Sequence, residues 1–394
     1  MTRLEEYRQK KEKQRQREEN RGKRLAAAAI IFMAVVVLGG FLYYFCFVGA
    51  WSYYDGGGEE CILSQDTKNS FELISSETHI LKSYGNYSLL CSKNDISAYD
   101  RNGNKKWSIN ISVKDPIVDV CEKYILVADR KGKSVYIIRG GKLMLSYETQ
   151  YNITTAKINK HGSFVTVTDE DGYKSMVKLL DVSGDELFSW HSAGAYVVDA
   201  AIEKNESTIM LTAINTQLMS DGERKYNSEM RLFDINNASE ITQVNFEENL
   251  ATNVLAVSDG YIVITANTLI KYDSGGNEKK RYSINGSIAK IAFDGKNTAV
   301  SYTDGEYKNH IAYVDSALSA KADKMLNGKR VGALDISEGV IAYMADDAVY
   351  MCKSNLDVRY KIKTDKVYKN LSLFCRGKRL MLTNEMSAAA VYAK

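Results

Sequence analysis

From residue 70 onward the chain is written in short apolar and β-branched runs separated by Gly, Asn and Asp. No stretch keeps the 3.6-residue apolar spacing of an amphipathic helix, so the pattern predicts strands joined by tight turns. The segment 254–284, VLAVSDGYIVITANTLIKYDSGGNEKKRYSI, shows the order within one unit. VLAV is strand A, YIVITA strand B, LIKYD strand C and KKRYSI strand D. Upstream the pattern changes abruptly: residues 25–48, LAAAAIIFMAVVVLGGFLYYFCFV, carry no charge. As a helix this run is roughly 36 Å long at about 1.5 Å per residue, enough to span a bilayer and too long for the hydrophobic part of a cleaved signal peptide.

Self-similarity selects among the all-β folds. The phrase ISAYDRNGNKKW (96–107) returns as VKLLDVSGDELFSW (177–190), MRLFDINNASEI (230–241), LIKYDSGGNEKK (269–280) and IAYVDSALSAKA (311–322), with weaker copies near Arg139, Lys353 and Ala393. The anchors Asp100, Arg139, Asp181, Asp234, Asp273, Asp315, Lys353 and Ala393 are spaced by 39, 42, 53, 39, 42, 38 and 40 residues. A period near 40 with several strands per unit is that of a β-propeller. The last unit has LSLFC, RLMLT and AAAVYA as strands A to C and then no D, whereas one spare strand, SFELIS (70–75), precedes the first unit. The expectation is an all-β, eight-bladed β-propeller of four-stranded blades, closed by that N-terminal strand and preceded by one transmembrane helix. The domains are then a basic tail (1–24), the span (25–48), a spacer (49–69) and the propeller (70–394).

Charge fixes an orientation. Residues 1–24 hold ten Lys/Arg against five Glu, which leaves 42 basic and 44 acidic residues for the rest of the chain. Basic residues flank only the N-terminal side of the span, and Tyr43, Tyr44, Trp51, Tyr53 and Tyr54 crowd the other, so the tail is expected in the cytoplasm and the propeller outside the cell membrane. Lipid is thus one expected partner. Nucleic acid is not, because a near-neutral domain lacks the concentrated positive surface it demands.

At Asp100, Gly103 and Trp107 the phrase hydrophobic-x-Asp-x-x-Gly-x-x-x-Trp resembles the quinoprotein-like and WD40-like propellers. The whole plan of basic tail, single span and degenerate propeller resembles a family of Gram-positive single-pass membrane proteins of unknown function. That resemblance implies the blade architecture and imports no activity. The quinone-dependent enzymes of this fold use a ring-stacking Trp, a metal site and a disulfide of adjacent cysteines, whereas here Trp107 and Trp190 fall on outer D strands and no two cysteines are adjacent.

The residues offer little chemistry. The turn Asp residues repeat with the blades, which marks them as acceptors for turn N–H groups, with Gly103, Gly184 and Gly276 supplying positive φ. Cys121 and Cys375 read as buried small hydrophobes, and no CxxC, HxH or HExxH spacing occurs. Asp169-Glu170-Asp171-Gly172 lacks the rest of a calcium loop and is expected as a B-to-C turn. No catalytic residue, metal ligand or cofactor is assigned.

What stands out is the interval of 53. It comes from an insertion, 215–229 (NTQLMSDGERKYNSE), expected as a long loop in the B-to-C connection of blade four. Met219, Arg224, Lys225 and Tyr226 mix apolar and charged chemistry as recognition surfaces do, and are the candidate partner-binding residues. The leading expectation is a binding or scaffolding module for a cell-envelope protein or polymer. The alternative is an envelope hydrolase or lyase with carboxylates gathered at the propeller axis.

Overall fold

The computed structural model of the protein describes residues 70–73, 79–218, 224–246, 249–326, 330–364 and 367–391. Eight antiparallel four-stranded sheets follow one another. Blades 1 to 7 run over 80–110, 116–148, 153–192, 196–246, 253–283, 286–325 and 331–363, each pairing its strands in the order A-B-C-D. The A strands of neighbouring blades approach one another around the axis, and the D strands, with alternating exposure, form the rim.

Blade 8 closes the ring as the strand count requires. Asn370–Phe374, Arg379–Thr383 and Ser387–Val391 are its A to C strands, and Ser70–Glu72 supplies D with the register Ser70↔Ala389, Phe71↔Ala388 and Glu72↔Ser387. The strand is shorter than SFELIS, and Leu73 adds one further bond from its N–H to Met386 O (2.8 Å). Among the described residues no helix is long and apolar enough to cross a membrane; the expected tail, span and spacer lie outside the described residues.

Why the inner strands read as continuous apolar runs is clear from the packing. B and C strands such as Tyr124–Asp129, Gly260–Ile264 and Thr268–Tyr272 are buried throughout, because both faces of a blade meet another blade. The core is accordingly divided into eight apolar clusters, one in each seam between adjacent blades. The blade 8–1 seam holds Phe71, stacked on Tyr99 at 4.5 Å between centroids, with Leu81, Leu90, Phe374 and Met381.

The C-to-D turns work as their sequence implies. Oδ1 of Asp100 accepts Asn102 N (2.9 Å) and Asn104 N (3.0 Å), and Asp181, Asp273 and Asp315 repeat the arrangement. Asp234 accepts Asn236 N (2.8 Å). Gly103, Gly184 and Gly276 have φ of 79°, 91° and 79°. Trp107, on its D strand, lies flat against Gly141 of blade 2, where a Cβ would stand 2.9 Å from the indole.

Candidate functional site

The B-to-C and D-to-A connections share one end of the propeller, and the A-to-B and C-to-D turns share the other. At the first end blade 4 departs from its neighbours. The insertion is not the loop expected from its composition: strands Thr208–Leu218 and Arg224–Asp234 run on through it, and only 219–223 separate them. The pairing continues as Asn215↔Asn227, Thr216↔Tyr226, Gln217↔Lys225 and Leu218↔Arg224. Strand D reaches only to Ser228↔Phe246, and strand A only to Tyr196↔Ile214. Residues 215–218 and 224–227 therefore form a two-stranded ribbon projecting roughly 13 Å at about 3.3 Å per residue. The missed signal was Asp221-Gly222, turn-forming residues placed midway between two extendable runs.

Arg224, Lys225 and Tyr226 thus belong to a strand, which corrects their placement in a loop, and Met219 lies outside the described residues. Lys225 is exposed, and Tyr226 is 56% exposed. Alternation sends Tyr226 and Ser228 to one face. That face turns toward blade 5, since Ser228 Oγ donates to Asn249 O (2.9 Å) and accepts Ala251 N (2.7 Å). The other face carries Lys225 above Glu229, which Arg231 (2.7 Å) and Gln243 (2.8 Å) clamp, with the Arg231 guanidinium over the Trp190 ring of blade 3. The ribbon's root is rigid on both sides.

Exposed apolar side chains are distributed unevenly. Eleven large ones occur among the described residues. Seven of these, Tyr173, Tyr196, Tyr226, Tyr307, Met325, Val367 and Met386, lie at the end of the propeller that carries the ribbon, and none lies in a C-to-D or A-to-B turn. The other four sit on the rim of blades 2 to 4. Seven blades share a β-bulge between strands C and D, and in six of them the extra residue of the edge strand is exposed. In blades 1, 5 and 6 it is Lys106, Lys279 or Lys321, each paired with its own turn Asp at 3.1, 2.7 and 2.8 Å. In blades 2 to 4 it is Met144, Leu187 or Ile241.

The axis carries charge, all of it on A strands. Oδ2 of Asp119, Asp199 and Asp335 each accepts an A-strand N–H of the next blade, from Ile158 (2.9 Å), Val254 (3.1 Å) and Leu373 (2.7 Å) respectively. Lys157 reaches Asp199 at 3.4 Å. Burial alone would lower the Lys157 pKa, but Asp199 and Asp119 more than offset it and hold it above its ordinary value. Burial pushes the Asp335 carboxyl up to about 6 despite its two backbone N–H donors. Ionisable groups do gather at the axis, and these carboxylates act as clasps between successive blades.

The remaining sequence candidates separate. His191 Nδ1 meets Glu170 at 2.5 Å, and His310 lies between Asp304 (3.1 Å) and Asp323 (3.5 Å). Cys91 and Cys352 are buried, which pushes each thiol up to about 12, whereas Cys121 and Cys375 are half-buried rather than buried. Asp169 and Glu170 end a B strand, and Asp171-Gly172 make the expected turn. Among the described residues no group of three His, Cys, Asp or Glu could hold a metal ion.

These sheets define an eight-bladed β-propeller whose fold is similar to that of BamB. BamB from Moraxella catarrhalis is similar over 82% of this chain and 98% of its own, at 12% identity and a TM-score of 0.52. The β-propeller domain of Cps50 (Swd1) from Myceliophteria thermophila covers the same shares at 10% identity and a TM-score of 0.49. The chain belongs to a family of unknown function, DUF5711, whose model matches residues 62–392. No curated protein matches it.

Proposed function

We propose that the protein is a membrane-anchored, extracytoplasmic binding or scaffolding module, and that the ribbon-bearing end takes a cell-envelope protein or polymer. One observation carries the reading: a ribbon with open edges shares its end of the propeller with most of the exposed large apolar side chains, while the turns of the opposite end have none among the described residues. Water-exposed aromatic and aliphatic side chains concentrated on one end are what a recognition surface requires. Strand direction adds support, since Ser70 begins its strand at the C-to-D end, opposite the ribbon. Lys225 and Tyr226 form the centre of the contact, joined by Met219 and Arg224.

The test is capture from envelope extract by the full chain. Lys225→Ala with Tyr226→Ala should weaken capture by tenfold or more and leave the melting temperature within about a degree, because the ribbon lies outside the blade seams. If capture survived this change and was lost instead on altering the C-to-D turns at Asn102 and Ser183, the functional end would be the opposite one.

A further inference from the structure

A cleft of about 520 Å³ opens at the ribbon-bearing end, among the loop ends of blades 2, 3 and 4. Its frame is fixed by hydrogen bonds to main-chain carbonyls: Asp169 N donates to Asn152 O (3.0 Å), and Thr149 Oγ1 donates to Tyr151 O (2.7 Å). Two of its walls are tyrosine rings held upright by their neighbours although half their area faces water. Tyr173, 46% exposed, leans on the His191 ring at 5.1 Å, and that imidazole is anchored by Glu170. Tyr196, 49% exposed, has its hydroxyl 3.2 Å from Lys174 Nζ, which also lies 5.0 Å from the ring centroid. Exposed rings restrained in this way are pre-ordered to stack on something flat.

The charges in the cleft narrow the choice. Asp169, Glu170 and Asp171 line it together with Lys133 and Lys174. A phosphate would have to sit among three carboxylates, and a small cation would meet two ammonium groups. An apolar ligand would lose hydration against walls that are mostly polar. A neutral polyhydroxyl ligand suits every part, since its hydroxyls donate to carboxylates, accept from Lys and the Asn152 amide, and its C–H faces lie on tyrosine rings.

We propose that this cleft is a saccharide-binding site, with Tyr173 and Tyr196 as the stacking platforms. The inference goes beyond the partner surface on the ribbon and does not depend on it. The full chain, held in a detergent without a sugar headgroup, is probed with an array of neutral mono-, di- and trisaccharides of glucose, galactose, mannose and N-acetylglucosamine, with oligolysine as the counter-probe. The expected result is retention of at least one neutral saccharide. Its Kd should rise at least tenfold in Tyr173→Ala and in Tyr196→Ala, less in Tyr196→Phe, and stay unchanged in Tyr226→Ala. Affinity rising with length would identify a polymeric source and a flat series a free sugar, either of which upholds the site. No saccharide retained, retention indifferent to both tyrosines, or Tyr173-dependent binding of oligolysine in place of sugar would overturn it. Loss of extract capture in Tyr226→Ala with sugar binding intact separates the two readings.

Discussion

Ring closure rests on four residues, and the energetics locate it chiefly in one side chain. The Ser70–Glu72 strand and Leu73 add a few backbone hydrogen bonds, each worth about 1 kcal/mol net. Ordering those residues costs about 1–2 kcal/mol each in backbone entropy, so the ladder roughly cancels. What remains is apolar burial, chiefly of Phe71, stacked on Tyr99, with Leu73 beside it in the blade 8–1 cluster. A fully buried Phe→Ala change costs about 3–5 kcal/mol; Phe71 is half-buried, so Phe71→Ala is expected to cost about 2–3 kcal/mol. The entropy of melting, about 2.1 cal/mol/K per residue, comes to roughly 0.7 kcal/mol/K for a propeller of this size. The melting temperature should therefore fall by about 3–4 °C in calorimetry. Light scattering should show self-association, because strand C of blade 8 gains an open edge whenever the short strand detaches. Deleting 70–73 outright should add to Phe71→Ala only the lost burial of Leu73. If Phe71→Ala melted like the native chain while the deletion collapsed the domain, the backbone ladder and not the side chain would be closing the ring.

Burial raises the Asp335 carboxyl to about 6, so its protonated form is the one favoured by folding, and its contribution is present below the ordinary carboxylate pKa and lost as pH rises through 6. Asp335→Asn should flatten the stability profile between pH 4 and 7 in chemical denaturation, because the group that titrates there is gone; identical pH slopes in the two proteins would refute this. Gly276→Ala should destabilise by about 2 kcal/mol, because φ is 79° and the new Cβ would stand 2.2 Å from Thr242 Cγ2; adding Thr242→Ser, which removes that methyl, should recover part of the loss in chemical denaturation. Leu187→Lys should be neutral or slightly stabilising, since it places a lysine beside Asp181 as in blades 1, 5 and 6, and a loss above about 1 kcal/mol would mean that Leu187 is a packing residue. In intact cells an impermeant thiol reagent should label a Cys introduced at Asp55 and spare one at Lys13, in a chain lacking Cys46 and Cys61; the reverse pattern would invert the topology.

The blade count was legible because its signals are local and repeated. Asp100, Asp181, Asp273 and Asp315 each cap two turn N–H groups, so the same short phrase recurs wherever strand C meets strand D. Closure was legible by arithmetic, from one strand missing at one end and one spare at the other. The site was less so. Ribbon and loop differ only in pairing, and the polar composition of 215–229 suggested the loop, although a ribbon free of the blade on both faces has no core to bury and can be as polar as a loop. The cleft was illegible because its walls come from Tyr151, Tyr173 and Tyr196, on three different connections that only the packing of blades 2, 3 and 4 brings side by side.

The rim shows how a repeat can hide its own exception. Counting six residues from the turn anchor gives Lys106 after Asp100, Leu187 after Asp181, Lys279 after Asp273, Lys321 after Asp315 and Arg359 after Lys353. These are the bulged residues, so the column is a structural position. In blade 2 the turn is one residue shorter and in blade 4 one longer, which moves Met144 and Ile241 out of the column and conceals that three consecutive blades have replaced the cation. A lysine here is held by its own turn Asp and keeps the edge strand wet, one of the ordinary protections of an exposed sheet edge. Asp181 and Asp234 are still present in blades 3 and 4, with apolar residues at the position a lysine would take. The turn therefore does not dictate the apolar choice. It follows that the rim of blades 2 to 4 differs from the rest of the rim by the residue at one position, on the same sector that holds the cleft and the ribbon at its end.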